Sequence, residues 1–373
     1  MKITQADVYP LRFPMRDVLH IARGPVGDAV EGAQHVYVRL TADTGEVGWG
    51  ECRPVPRWSY ETFETAVSTL RRYLVPAVLG RDPFDLAGLH AAMDVVIAPG
   101  PTVGQPVAKN AIDMAVHDLI GRATGVPVQA LMGAARAREL PVCWIVSKPT
   151  AEEAHRVAGE GAARGFRAFK VKVGHDPVTD ADMLRAALDA VPSDCYVWAD
   201  ANAGYSLADA KRLERRIRGL GVAVLEQPLA ANAWLDLREL RAKSEIPLAL
   251  DESVYTPADL LQLVRLEALD ILVLKLGRMA GLYGSRRAAE MALDAGLTLL
   301  GSGLTESRLS LAASTHLMTA FGVPAADLNG PQFLADDATP GSLAPLPSLP
   351  LPAGPGLGVT PDPEKLRRYA DEA

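Results

Sequence analysis

Five short apolar runs decide the fold, and each of them carries ionisable residues at or near its end. The runs are Phe169-Lys-Val-Lys-Val173, Tyr196-Val-Trp-Ala-Asp200, Val222-Ala-Val-Leu-Glu226, Pro247-Leu-Ala-Leu-Asp251 and Ile271-Leu-Val-Leu-Lys275. They follow one another at intervals of about 25 residues, which is room for one strand, one helix and two loops. Charges on successive buried strand tips are costly unless the tips meet. The pattern therefore predicts that these side chains converge on one site.

The same rhythm continues on both sides of these runs. It predicts strands over residues 142–146, 167–173 and 297–300, an eighth short element near 326–328, and helices over 207–218, 257–266 and 307–321. Strands that alternate with helices form a parallel sheet. Because no Gly-x-Gly-x-x-Gly turn follows the first strand, a barrel is favoured over an open sheet. We expect an α/β protein with a modified (β/α)7β TIM-like barrel, whose function lies at the C-terminal strand ends.

The N-terminal third has a different pattern. Residues 35–42 and 47–52 alternate like two hairpin strands around a turn at 43–45, and the spacing over 60–78 and 107–123 is helical. We expect an N-terminal α+β capping domain over 1–130, the barrel over 131–339, and a C-terminal return over 340–373 that packs on the capping domain. Residues 20–28 carry two glycines and a proline without any period, which is typical of a mobile lid loop.

Composition excludes several classes of protein. The net charge of −7 argues against nucleic-acid and anionic-membrane partners. The three cysteines form no C-x-x-C pair, so neither a disulfide framework nor a zinc cluster is expected. No apolar run approaches the roughly 18 residues of a membrane span, and the N-terminus lacks a signal-peptide pattern. We expect a cytoplasmic protein.

Three of the strand tips carry carboxylates, at Asp200, Glu226 and Asp251. Three converging carboxylates repel one another unless a cation lies between them. Oxygen ligands suit a hard divalent ion such as Mg²⁺. Each carboxylate alone could instead pair with a lysine or arginine on a barrel loop, but three on consecutive strands favour a metal site.

Two further strand tips carry lysines. Lys170 and Lys172 point to one face because a strand has a period of two, and Lys275 follows the sixth strand, across the barrel mouth. Near a second ammonium and a metal the pKa of a lysine is lowered, so it can act as a base. Two opposed bases could remove a proton from one face of a carbon and return it to the other. A lone Lys170 or Lys172 could equally be a solvated surface lysine.

Together these residues resemble the enolase superfamily, and within it the muconate lactonizing enzyme subgroup. The matching motifs cover nearly the whole chain and are Lys170-Val-Lys172, Asp200-Ala-Asn202, Glu226-Gln-Pro228, Asp251-Glu252, Lys275, Ala111-Ile-Asp-Met-Ala-Val-His-Asp-Leu-Ile-Gly121 and Gly354-Pro-Gly-Leu-Gly-Val359. Enolase-superfamily sites pair a lysine or histidine base with magnesium. The mandelate racemase branch would place a histidine after the seventh strand, where this chain has Leu300-Gly-Ser-Gly303.

The resemblance implies a role for each matching position. It implies that Mg²⁺, for which Mn²⁺ could substitute, is bound by the three carboxylates, and that Asn202 and Glu252 stand directly behind them. It implies that Lys172 and Lys275 are the acid/base pair and that Lys170 helps to neutralise the enolate. The family's assemblies also imply a homo-oligomer.

The substrate-binding residues are expected outside these strands. The run Gly301-Ser-Gly-Leu-Thr-Glu-Ser-Arg-Leu309 resembles a segment of cycloisomerases and dipeptide epimerases, and Asp327-Leu-Asn329 resembles the Asp-x-Asp with which the epimerases bind a substrate ammonium. Asn329 removes one negative charge from that pocket. The candidate substrate-binding residues are His20, Arg23, Ser302, Glu306, Asp327 and Asn329. A salt bridge within the loops is the alternative for Glu306 and Asp327.

The favoured function is abstraction of the proton α to the carboxylate of a small-molecule substrate, giving an enolate stabilised by Mg²⁺. Within this reaction class we expect an isomerase, a racemase or epimerase of an amino-acid-like or dipeptide-like acid. A muconate-type cycloisomerase and an acid dehydratase, which is a lyase, share the same enolate and are the alternatives. A barrel that only binds a metabolite is a third reading, which the complete set of carboxylates and lysines disfavours.

Overall fold

We describe the protein from a computed structural model, which describes residues 1–133 and 136–371. Residues 372 and 373, at the end of the predicted C-terminal return, lie outside that part. The N-terminal strands are β1 (Ile3–Phe13), β2 (Leu19–Ile21), β3 (Gly24–Val26), β4 (Ala33–Ala42) and β5 (Val47–Cys52). The helices that follow are α1 (Phe63–Thr69), α2 (Val75–Val78), α3 (Leu86–Val96), α4 (Pro106–Thr124) and α5 (Val128–Met132), with a π-helical segment, Leu70–Leu74, between α1 and α2.

The cap is a three-stranded antiparallel sheet, in the order β1-β4-β5, with helix α4 packed against it. The hairpin β4–β5 confirms the predicted strands and their turn. Helix α4 is buried from Pro106 to Gly121, on every side of its axis. It comes so close to β5 that a Cβ on Gly50 would lie 2.0 Å from the carbonyl oxygen of Ala111 and 2.7 Å from the amide nitrogen of Ala115.

This close approach predicts the effect of one substitution. Gly50→Ala is expected to lower the free energy of unfolding by about 3 kcal/mol, because the added methyl group must push two backbones apart. The midpoint of urea unfolding measures the loss. Gly159→Ala, at a position in helix α6 where a Cβ meets nothing within 4 Å, is the matched control and is expected to unfold at the same or a slightly higher urea concentration. Equal midpoints for the two variants would contradict the packing described above.

The remaining strands are β6 (Glu139–Pro141), β7 (Cys143–Val146), β8 (Ala168–Lys172), β9 (Tyr196–Asp200), β10 (Val224–Glu226), β11 (Leu248–Leu250), β12 (Ile271–Leu274), β13 (Thr298–Ser302), β14 (Ala326–Asp327) and β15 (Ser348–Pro350). The remaining helices are α6 (Ala151–Ala163), α7 (Pro177–Asp189), α8 (Leu207–Ile217), α9 (Trp234–Arg241), α10 (Pro257–Arg265), α11 (Leu282–Asp294), α12 (Arg308–Phe321), α13 (Gly330–Phe333) and α14 (Pro363–Arg368).

Strands β7 to β14 form one parallel sheet in chain order, with one helix between each pair of successive strands. A parallel bridge between Val142 and Ala326 joins the first strand to the last, so the sheet closes on itself. This confirms the predicted (β/α)7β barrel. Strands β8 and β12 stand four places apart among eight strands, which sets their ends on opposite sides of the barrel mouth.

The segment over 20–28 corrects one expectation. It was predicted as a loop without period, but Leu19–Ile21 and Gly24–Val26 pair as a short antiparallel hairpin. Leu19, Ile21 and Val26 are buried and face the barrel mouth, while the residues between them are largely exposed. Strands of three residues are too short to show an alternation in sequence. Whether this hairpin moves stays a prediction.

The C-terminal segment runs back over the outside of both parts. Strand β15 pairs with β6, and the amide of Gly356 donates to the carbonyl of Val126. The buried carboxylate of Asp118 in helix α4 accepts from the amides of Trp49 and Leu357 at 2.8 and 2.7 Å, which ties cap and tail together. Across the described ranges, no helix combines the length and the apolar character that a membrane span requires. The cytoplasmic location and the homo-oligomer stay predictions.

Candidate active site

The ionisable strand tips do meet at the C-terminal end of the barrel. Lys172, Asp200 and Glu226 lie at one level, because Lys172 pairs with Asp200 and Asp200 with Glu226 in the strand register. Asp251 and Lys275 directly follow the next two strands. Asp200, Glu226, Asp251 and Lys275 are each at most 4% exposed. The predicted convergence is therefore present in the structure.

Lys170 occupies the centre of this cluster. Its ammonium lies 3.0 Å from Glu226 Oε1, 3.2 Å from Asp200 Oδ2 and 2.9 Å from Asp327 Oδ2, and the side chain is fully buried. Trp198, on the same sheet, donates its Nε1–H to the other oxygen of Glu226 at 2.9 Å. Lys170 is thus an internal counter-ion for three carboxylates and does not face the pocket as a free base.

Lys172 and Lys275 each hold one carboxylate at the rim. Lys172 Nζ lies 2.6 Å from Asp200 Oδ2 and 3.3 Å from the side-chain oxygen of Asn202. Lys275 Nζ lies 2.6 Å from Asp251 Oδ2. Both lysines line one pocket beneath the cap. The structure therefore places the two predicted bases on opposite strands but around the same small space.

The electrostatic balance of the cluster is set by these ion pairs. Burial by itself lowers the pKa of a lysine and raises that of a carboxylate, because it disfavours the charged forms. Here the facing carboxylates outweigh burial: Asp327 and Glu226 raise the pKa of Lys170 well above its usual value, and Asp200 raises the pKa of Lys172. Lowered lysine pKa values near a bound metal stay a prediction, and in this ion-paired arrangement the shifts of Lys170 and Lys172 have the opposite sign.

The pKa values of two of the carboxylates are shifted in opposite directions. Burial would raise the pKa of Asp200, but Lys172 and Lys170 lower it. Burial, reinforced by the charge of Asp200, raises the pKa of Glu226 to about 8. Burial is the main cause of the high pKa of Glu226, and the negative charge crowded at the middle strand of the three adds to it. That crowding is the physical condition that favours a cation at this point.

The fit of the three carboxylates to a metal ion depends on donor type and on contacts. As the side chains stand, the described residues contain no group of three acidic, histidine or cysteine side chains close enough to hold one ion. Lys170 lies between Asp200 and Glu226, and two cations hold Asp251. The donors are nevertheless carboxylate oxygens on three adjacent strands, as a hard divalent cation requires. Within the described part, buried Asp251 Oδ1 contacts Arg278 as an ion pair, and neither it nor buried Glu252 Oε2 accepts a hydrogen bond.

The loops behind the carboxylates are held in left-handed backbone conformations. Asn202 has φ 40° and Gln227 has φ 34°, each just after a strand end. The side chain of Gln227 accepts hydrogen bonds from the amides of Asp251 and Ser253, and Asn202 donates to Glu252 Oε1 at 3.1 Å. Backbone strain of this kind persists where the surroundings over-determine it. Asn202 and Glu252 therefore lie next to the carboxylates, as the resemblance implied.

Asp327 and Asn329, two of the substrate-binding candidates, contact each other. Asn329 donates its Nδ2–H to Asp327 Oδ1 at 2.6 Å, and the other oxygen of Asp327 faces Lys170. Both residues line the pocket. The negative charge of Asp327 is therefore already engaged by a lysine of the protein itself.

The other four candidates are not among the residues that line the pocket. His20 and Arg23 are exposed on the outer side of the β2–β3 hairpin, where the His20 ring contacts the carbonyl of Val18. Ser302 and Glu306 are buried and flank the pocket-lining residues Gly303–Thr305 in sequence, and burial raises the pKa of Glu306 to about 7. The pocket roof is apolar instead, and its residues are Leu19, Ile21, Val26, Val55 and Trp58.

Arg278 also belongs to the site, although it is not among the site residues predicted from the sequence. It is fully buried, its Nη2 lies 2.5 Å from Asp251 Oδ1, and its guanidinium is stacked 4.1 Å from the ring centroid of Trp58. None of its N–H groups makes a hydrogen bond within the described residues. The one signal in the sequence was its place three residues after Lys275, in the loop that follows β12.

Comparison with known proteins agrees with this architecture. Residues 5–133 match the family model of the mandelate racemase/muconate lactonizing enzyme N-terminal domain, and residues 150–365 match that of the enolase C-terminal domain-like family. The chain belongs to the mandelate racemase/muconate lactonizing enzyme family. The predicted membership in the enolase superfamily is thereby confirmed.

Relatives within this family narrow the enzyme class. The N-succinyl-L-Arg/Lys racemase of Bacillus cereus is 29% identical over 96% of this chain and 95% of its own length, and its crystal structure superposes with a TM-score of 0.93. The 2-chloromuconate cycloisomerase of Rhodococcus opacus is 30% identical over the whole of both chains, with a TM-score of 0.92. The dipeptide epimerase of Cytophaga hutchinsonii, solved with Mg and a dipeptide, is 25% identical over 99% of this chain and 98% of that chain, with a TM-score of 0.92. These relatives are isomerases, which confirms the predicted class.

Proposed function

We propose that this enzyme racemises or epimerises an amino-acid-like carboxylic acid by moving the proton on its α-carbon. The observation that carries the proposal is the pair Lys172 and Lys275, which stand on opposite strands and line one pocket. One lysine takes the proton as the Cα–H bond breaks, and the electron pair passes into the carboxylate as an enolate. The other lysine supplies a proton to the opposite face of the carbon.

Asp200, Glu226 and Asp251 are proposed to hold Mg²⁺, for which Mn²⁺ could substitute. When bound, the cation supplies stabilisation of the negative charge that builds up on the substrate carboxylate. The charges of the site support this assignment. Lys170, Arg278, one protonated lysine of the pair and a divalent cation would balance the ion-paired carboxylates of Asp200, Glu226, Asp251 and Asp327 together with the carboxylate of the substrate.

The substrate amine is proposed to be acylated and therefore uncharged. A free ammonium needs a carboxylate partner in a buried pocket, but Asp327 already faces Lys170 at 2.9 Å and accepts from Asn329. The apolar roof formed by the β2–β3 hairpin suits an apolar group on the substrate. The succinylated substrate named for the Bacillus cereus racemase is an amino acid of this acylated kind.

Incubation with single enantiomers in D₂O, in the presence of Mg²⁺, tests this function. The panel contains N-succinyl and N-acetyl amino acids, free dipeptides and muconates, and NMR follows deuterium at the α-carbon. Deuterium together with the opposite enantiomer is the expected result for an acylated amino acid. A 2-keto acid would report dehydration, and a lactone formed from a muconate would report cycloisomerisation. The double variant Lys172→Ala/Lys275→Ala lacks both proposed bases and is the negative control, which should incorporate no deuterium.

The engagement of Asp327 predicts the effect of a change at position 329. Asn329→Asp removes a donor from Asp327 and adds a carboxylate, so the pocket gains negative charge that the protein does not balance. We expect kcat/KM for a free dipeptide to rise about tenfold relative to its N-acetylated form, as one new ion pair would give. Asn329→Ala, which removes the donor without adding charge, is the control. An equal change for both substrates in Asn329→Asp would contradict the proposal.

A further inference from the structure

The two proposed bases, Lys172 and Lys275, differ in which part of the protein contacts their ammonium groups. Lys275 contacts Asp251 on one side, and on the other its ammonium lies 4.2 Å from the ring centroid of Trp58, which belongs to the loop that follows β5 in the cap. The polar partners of Lys172, which are Asp200, Asn202 and more distantly Asp327, all belong to the barrel. Among the residues that the structure describes, a cap side chain therefore holds Lys275 but not Lys172.

The ring of Trp58 contacts two cations of the barrel mouth. Its ring faces both Lys275 and the guanidinium of Arg278, at 4.2 and 4.1 Å from the ring centroid, and the side chain is only 9% exposed. Its Nε1–H makes no hydrogen bond within the described residues, so the ring is not oriented by a polar partner of its own. Its position depends on stacking against these cations and on the turn in which its amide donates to the carbonyl of Val55.

Such a contact constrains a lysine strongly. A cation over the face of an indole ring is attracted most when water is excluded, and tryptophan is the best of the aromatic residues in this role. The ammonium of lysine sits on a flexible four-carbon chain, and proton transfer requires a heavy-atom distance close to that of a hydrogen bond. A ring that limits the travel of Nζ therefore raises the fraction of time that the lysine spends within reach of the α-carbon.

We propose that Trp58 is a positioning residue for Lys275, so that the cap holds one of the two bases in place and does not hold the other. The inference rests on the proposed function. On the face served by Lys275, the Cα–H bond breaks, the proton goes to Nζ, and the electron pair stays on the substrate as the enolate. In D₂O the lysine exchanges that proton with solvent and returns deuterium to the same face.

Exchange measured on each enantiomer separately tests the inference. Lys275→Ala and Lys172→Ala first identify which enantiomer each lysine serves. Because Trp58 also belongs to the pocket roof, both enantiomers can slow in Trp58→Leu, but exchange of the one served by Lys275 is expected to fall about tenfold more than exchange of the other. Trp58→Phe retains a weaker aromatic face, and the difference between the two enantiomers should shrink to about threefold.

Val55→Ala is the matched control, because Val55 lies in the same cap loop and lines the pocket without contacting either lysine by charge. It should slow both enantiomers by a similar factor, since it only loosens the roof. Equal losses for both enantiomers in Trp58→Phe, or in Trp58→Leu, would overturn the role of Trp58 and leave the proposed function intact. If the two lysine variants themselves failed to divide the enantiomers, the proposed function would fall instead.

Discussion

Lys172→Ala and Lys275→Ala are each expected to lower the interconversion of substrate enantiomers by at least about a thousandfold, because a racemase needs an acid and a base on opposite faces of one carbon. Each variant should still exchange the α-proton of the enantiomer that faces its remaining lysine. Polarimetry measures interconversion, and NMR in D₂O measures exchange. The two readouts together separate loss of one base from loss of the whole site.

The control for this prediction is Lys211→Ala. Lys211, on helix α8, is paired with Glu239 on helix α9 and does not line the pocket, so its removal should leave turnover within about twofold. If both Lys172→Ala and Lys275→Ala left turnover of the true substrate unchanged, these lysines would not be the acid/base pair.

Glu226→Gln is expected to weaken Mg²⁺ binding by at least about 100-fold, because it replaces the middle one of three proposed ligands with a neutral amide. Isothermal titration calorimetry of the purified protein measures the dissociation constant without relying on turnover. The carboxylate of Glu226 is buried, and the charge of Asp200 beside it contributes to raising its pKa to about 8. A bound divalent cation would relieve that crowding in the unaltered protein, whereas the neutral amide of the variant would leave less negative charge for the cation to offset.

Glu239→Gln, on the exposed surface of helix α9, removes one carboxylate without touching the barrel mouth and is the matched control. An unchanged Mg²⁺ affinity in Glu226→Gln would place the metal elsewhere or show that the protein binds none. A chelator should also abolish turnover in the unaltered protein, and restored turnover on adding Mg²⁺ or Mn²⁺ would show whether either ion serves.

The barrel could be predicted from sequence because its signals are local. Three of its strands are short apolar runs that end at Asp200, Glu226 and Asp251, and the helices between them have an apolar spacing of their own. Parallel strands bring their C-terminal ends to one rim, so topology alone brings these carboxylates together. The structure ends these strands within a residue of the predicted positions.

The pocket could not be predicted to the same extent, because its walls come from distant parts of the chain. Arg278 and Trp58 are stacked on each other although 220 positions separate them in sequence, and neither position carries a local signal for that contact. His20 was a candidate because of its residue type. In the hairpin, however, its neighbours Leu19 and Ile21 face the site, and His20 faces outward.

The sequence by itself determined the barrel and the three carboxylates and three lysines at its strand ends, because strand period and strand spacing are properties of neighbouring residues. The motifs that these residues form indicated the family. Only the tertiary structure decided which charges pair. In the folded protein Lys170 pairs with Glu226 and Asp327, whereas Lys172 and Lys275 line the pocket. The ring of Trp58 stacks on Lys275. The physical reason is that an ion pair or a stacked ring acts over a few ångströms of space, and the folded chain alone sets those distances.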